Sequence, residues 1–125
     1  MTTRLMIVED DPELQELYGH MLDGSGWELE QINDGALALA RLQETVPDVL
    51  ILDIILDEMA GDELYREMRR RPHLAHLPVI IASVLSAERC HALMQVDELT
   101  RFLRKPFQRQ ALLDTVSWAL DRKDE

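Results

Sequence analysis

The stretch Val49–Leu50–Ile51–Leu52–Asp53 decides the fold. Four branched apolar residues in a row, without alternation, describe a strand covered on both faces, which is the pattern of a parallel sheet held between two helical layers. Asp53 ends the run. In open α/β sheets ligands and chemistry gather outside the carboxyl ends of the strands, so this carboxylate is expected at the rim of a crevice. A second apolar run, Leu5–Met6–Ile7–Val8, leads directly into Glu9–Asp10–Asp11. Two such strands deliver several carboxylates to one crevice, where their repulsion is costly unless a cation sits among them. The sequence therefore points to a divalent metal site.

Outward from this pair, strand and helix alternate. Asp11–Pro12 supplies an N-cap and a proline at the first helical position, and Leu14, Leu17, Tyr18, Met21 and Leu22 follow at helical spacing. Gly24–Ser25–Gly26 ends that helix, and Trp27–Ile32 reads as a weaker, partly alternating strand near an edge. Asn33–Asp34–Gly35 turns the chain into a helix over Ala36–Glu44. After Asp53, a turn over Ile54–Asp62 containing Gly61 leads to a third helix, whose buried face is Leu64, Tyr65 and Met68 and which Pro72 stops. Pro78–Ala82 is the fourth strand, Ser86–Val96 a fourth helix, and Arg101–Arg104 a short fifth strand. Leu112, Leu113, Val116, Ala119 and Leu120 form the apolar stripe of the last helix.

Five strands separated by helices, with right-handed crossovers, give a doubly wound parallel sheet of order 2-1-3-4-5, a flavodoxin-like (βα)5 fold. Strands one and three are then neighbours. Glu9 and Asp10 come to the crevice of Asp53, and Ser83 and Lys105 join them from the ends of strands four and five. Acids that bind Mg²⁺, with a hydroxyl and a lysine for phosphate oxygens, suit the handling of a phosphoryl group.

Composition narrows the class of protein. The 125 residues are expected to form a single domain over 1–125, with a polar tail at 122–125 that frays. Thirteen basic residues against 24 acidic give a net charge of −11, which opposes direct binding to nucleic acid or to anionic membranes. Cys90 is the single cysteine, so neither an intramolecular disulfide nor a thiolate metal cluster can form. The Leu5–Val8 run is too short for a signal peptide core or a membrane span, and a cytoplasmic protein is expected.

Taken together, these motifs resemble the receiver domain of two-component response regulators. The resemblance rests on Glu9–Asp10 after strand one, Leu52–Asp53 with Gly61 eight residues on, Ser83 after strand four, and Lys105–Pro106–Phe107 after strand five. It implies that Asp53 accepts a phosphoryl group from a sensor histidine kinase or a histidine phosphotransfer protein. It further implies that Mg²⁺, or Mn²⁺, is bound by Glu9, Asp10, Asp53 and the Ile55 backbone carbonyl. Lys105 would pair with Asp53 and then with a phosphate oxygen, Ser83 would bind another, and Phe102 would follow the movement as a switch aromatic. The Lys105–Pro106 bond would be cis. The readout surface would be the fourth helix, fifth strand and fifth helix, serving a downstream protein or fused output domain and allowing a phosphorylation-dependent homodimer. Such a domain is a signalling module rather than an enzyme, its chemistry limited to its own phosphotransfer and slow autodephosphorylation.

Several positions depart from the family pattern. Asp57 stands where proline is usual, Val84 replaces a small residue, and Val96–Asp97–Glu98 replaces a small turn before the fifth strand. The first two keep alive an alternative, a degenerate interaction domain that works without phosphorylation. An aspartate-dependent phosphohydrolase would carry a second acid two residues after its nucleophile, and Ile55 occupies that place. In this family the residues flanking the path of the hydrolytic water correspond to Ile55 and Leu85. Both are apolar and cannot orient water, so slow dephosphorylation is expected.

Overall fold

The computed structural model describes residues 2–54 and 60–123, with residues 60 and 61 by backbone alone. The strands are β1 (Arg4–Val8), β2 (Glu28–Ile32), β3 (Val49–Asp53), β4 (Val79–Ser83) and β5 (Thr100–Arg104). The helices are α1 (Pro12–Met21), α2 (Gly35–Glu44), α3 (Ala60–Arg69), α4 (Ala87–Leu93) and α5 (Arg109–Lys123), with a short 3₁₀ turn at Pro72–Leu74. All strand pairs are parallel and the order is β2-β1-β3-β4-β5, as the sequence pattern predicts.

β3 shows why an unbroken apolar run belongs in the middle of this sheet. Its side chains alternate between faces, and both faces are dry. Leu50 and Leu52 enter a core with Met6 and Ile81 beneath α2, α3 and α4. Val49 and Ile51 enter a second core with Leu5, Ile7 and Ile80, closed by Tyr18 and Leu22 around α1 and by Leu112, Val116 and Ala119 of α5. By the same alternation Asp53 falls on the α1/α5 face. Val8 is in register with Leu52, so Glu9 and Asp53 leave the sheet side by side.

Capping follows the sequence signals. Asp11 accepts from the Glu13 N–H at 2.9 Å, Asp34 from the Leu37 N–H at 3.0 Å and Ser86 from the Arg89 N–H at 3.3 Å. Gly24 and Gly26, with φ of 81° and 83°, carry the chain out of α1 through a region that disfavours side chains.

The structure corrects several boundaries. Gly61 lies in the first turn of α3 rather than in the loop before it. α4 stops at Leu93 because Met94 turns extended (φ −147°, ψ 134°) and buries itself in the core instead of adding a turn. α5 runs through Lys123, two residues into the stretch expected to fray. Arg122 lies 4.9 Å from the Trp118 ring centre and Lys123 pairs with Asp48, which holds the last turn in place. Arg69, in the last turn of α3, has a side chain only 12% exposed; it pairs with Asp97 and lies over the Tyr65 ring. Among the described residues no helix is long and apolar enough to cross a membrane.

Candidate functional site

The crevice is assembled from the carboxyl ends of β1, β3, β4 and β5. Asp53 closes β3 with a side chain only 2% exposed, and its two oxygens have different partners. Oδ1 receives the Lys105 ammonium, which arrives from the loop after β5. Oδ2 accepts the Tyr18 phenol at 3.1 Å. The Lys105 N–H donates to the Ser83 carbonyl at 2.7 Å, which ties that loop to the end of β4, and the Lys105–Pro106 bond is cis. Phe107 then packs on Tyr18 with ring centres 5.9 Å apart. Both donors to Asp53 thus belong to one packed unit.

Glu9 is buried at the end of β1. Its Oε2 accepts a 3.3 Å hydrogen bond from the Asp11 N–H, and its Oε1 has no partner. Burial pushes this carboxyl up, the neighbouring Asp53 adds to the push, and the Asp11 N–H only partly opposes it; the pKa is raised to about 8. Asp10, one residue on, is exposed. The Tyr18 phenol, buried and facing Asp53, is held far above its ordinary pKa and remains a donor.

The other expected residues are nearby in different states. Ser83 is buried and its Oγ accepts from the Leu85 N–H at 3.1 Å, a local turn rather than a contact with Asp53. Leu85 is half-buried against the α2–α4 core. Phe102 packs on the same core and meets His91 edge-on at 4.8 Å. Ile55 and Asp57 lie outside the described residues. An apolar recess of about 250 Å³, walled by Leu14, Leu17, Met21, Val84 and Phe107, opens beside Asp53.

Among the described residues no three His, Cys, Asp or Glu side chains are grouped tightly enough to form a metal cage by themselves. Mg²⁺ does not need one, because it keeps several waters and takes only one or two carboxylates from the protein. A buried carboxylate with an orphaned oxygen, beside Asp53 and followed by an exposed Asp10, fits such an ion.

Tyr18 is a site residue that helical periodicity conceals: it sits in the apolar stripe of α1 among Leu and Met, and only its hydroxyl sets it apart.

A parallel sheet of this order with acids and a lysine at its switch point defines a doubly wound α/β protein with a polar crevice. Residues 5–117 match the family described as response regulator receiver domain, and the chain belongs to that family, which is a signalling domain rather than a classical enzyme. It is 34% identical over 122 residues to the phosphate regulon transcriptional regulatory protein PhoB of Rhizobium meliloti, covering 98% of this chain and 54% of that regulator. It is 27% identical to the polar-differentiation response regulator DivK of Brucella ovis, covering 93% of this chain and 94% of DivK. The chemotaxis response regulator CheY4 of Vibrio cholerae superposes with a TM-score of 0.85 at 26% identity, over 96% of this chain and 100% of CheY4. The chain thus spans about half of the PhoB regulator and nearly all of DivK.

Proposed function

We propose that this receiver domain accepts a phosphoryl group on Asp53 in a Mg²⁺-dependent reaction. The observation that carries the reading is the Asp53 carboxylate, desolvated and pinned by Lys105 and Tyr18 beside the orphaned oxygen of Glu9. One oxygen of Asp53 attacks the phosphorus of a phosphohistidine on a sensor kinase or phosphotransfer protein. The P–N bond breaks and its electron pair leaves on the imidazole. Bound Mg²⁺ or Mn²⁺ would supply neutralisation of the phosphoryl charge, held by Glu9, Asp10, Asp53 and the Ile55 carbonyl. Lys105 then moves from Oδ1 to a phosphoryl oxygen.

Phosphorylation adds about −1.5 to −2 charge and three strong acceptors, enough to draw the Ser83 hydroxyl out of its turn with Leu85. That movement would shift Phe102 and the α4–β5–α5 face, where a downstream protein, a fused output domain or a second copy would read it. Signalling of this kind belongs in the cytoplasm. With Leu85 and Ile55 unable to orient water, the phosphoryl group should persist.

Incubation with phosphoramidate and Mg²⁺ followed by intact-mass measurement tests the reading. The wild type should gain the mass of one phosphoryl group, more slowly when the metal is chelated, and Asp53→Asn should gain none. An unmodified wild type, or equal gain in the variant, overturns it.

A further inference from the structure

Tyr18 does more than pin Asp53 in place. Tyr18 is 2% exposed, its ring packs against Phe107, and its hydroxyl donates to Asp53 Oδ2 at 3.1 Å. Oδ1 faces Lys105, whose side chain is 16% exposed at the crevice. The two oxygens therefore differ: Oδ1 pairs with a cation that phosphorylation can draw away, and Oδ2 accepts from a neutral phenol fixed on α1. We propose that Tyr18 is the hydrogen-bond donor that stabilises the Asp53 carboxylate as a phosphoryl group leaves it, and so sets how fast the aspartyl phosphate is lost.

This inference rests on Asp53 being the acceptor. In hydrolysis the oxygen of water bonds to phosphorus, the P–Oδ1 bond breaks, and its electron pair returns to the carboxylate. The water gives its proton to solvent or to the phosphate product. The transition state of phosphoryl transfer is loose, so nearly a full negative charge has returned to Asp53 before the new bond is complete. In the acyl phosphate, Oδ2 is a neutral carbonyl and the Tyr18 bond is ordinary; as the charge returns it becomes charge-assisted, roughly twice as strong. An interaction stronger in the transition state than in the ground state accelerates the step. Asp53 and Tyr18 are both buried, which increases the effect, and Oδ2 keeps a second lone pair for another partner.

The sign separates this role from simple packing. Removing a wedge that only excludes water would admit water and speed the loss of phosphate. Removing a donor to the leaving carboxylate slows it.

Wild type and Tyr18→Phe are loaded with phosphoramidate and Mg²⁺, freed of donor, and followed by intact mass and by release of inorganic phosphate. Tyr18→Phe should keep its phosphoryl group about fivefold longer. Equal decay, or faster decay in the variant, overturns the proposal, whereas a wild type that never loads overturns the acceptor reading instead. Should Tyr18→Phe fail to fold, 3-fluorotyrosine at position 18, a stronger donor of nearly the same shape, decides: loss about twofold faster supports the proposal and an unchanged rate overturns it.

Discussion

The two ends of the sheet each place an acid beside a strand, and the fold treats them in opposite ways. Ahead of β3, Asp48 accepts the Arg4 N–H at 2.7 Å and pairs with Lys123 at the end of α5. Burial pushes the Asp48 carboxyl up, but the contacts from Lys123 and Arg4 outweigh it, and its pKa settles below the usual carboxylate range. After β1, Glu9 has one weak N–H partner and an orphaned oxygen, and its pKa rises to about 8. Where the chain supplies the cation, the acid joins strand to helix. Where the chain withholds it, the acid stays available to a ligand.

The largest effect that would sharpen this contrast comes from Lys105. Lys105→Ala leaves Asp53 and Glu9 adjacent without the cation that now faces Asp53. Loading of Asp53 from phosphoramidate should slow by about a hundredfold, the scale for removing an oriented stabiliser of the transition state. A rate within a few fold of the wild type would remove Lys105 from the chemistry. Smaller, and opposite in sense, is the change from Ile55→Asn combined with Leu85→Glu. Loss of phosphate should quicken by about tenfold, and by more than the product of the single changes, because both groups would position one water. Phosphate-release kinetics check it, and simple additivity would mean that the two side chains act apart.

Acid–base behaviour should also divide the two ends. The Glu9 pKa is raised above its unfolded value of 4.5, so the stability it contributes is full below that pH and is lost as pH climbs through about 8. The Asp48 pKa is depressed, so its contribution is present above the unfolded value of 3.8 and is lost on acidification below it. Melting temperatures of the metal-free protein should therefore decline between about pH 4.5 and 8 through Glu9, and Glu9→Gln should flatten that decline. An unchanged slope in the variant would place the titration elsewhere. The smallest effect is Asp48→Asn, which should cost about 1 kcal/mol, since the Lys123 side chain is half exposed and its pairing is screened. Urea unfolding measures it, with Asp11→Asn as a near-neutral comparison because asparagine caps α1 equally well.

Much of this was readable in the chain, for physical reasons that differ by residue. Val49–Leu52 could be read because a strand buried on both faces cannot alternate, and strand order then carried Glu9, Asp53, Ser83 and Lys105 to one rim. Boundaries were less legible where tertiary packing overrides local preference. Met94 leaves a helical pattern to enter the core, and Arg122 and Lys123 extend α5 because Trp118 and Asp48 receive them. Tyr18 was hidden for a related reason. Helical periodicity records which residues turn inward, but not that the tip of an inward phenol reaches a carboxylate thirty-five residues away. Nor could the pattern reveal that the Ser83 hydroxyl is engaged with the Leu85 N–H in this state.

Metal binding at Glu9 and Asp10 is tested most directly by melting the protein against Mg²⁺ at pH 8, near the raised Glu9 pKa. At a hundred times its dissociation constant the ion should stabilise the wild type by about 2.7 kcal/mol, Asp10→Asn should weaken the response, and Asp11→Asn should leave it intact. A melting temperature indifferent to millimolar Mg²⁺, or equal responses from the two variants, would contradict it.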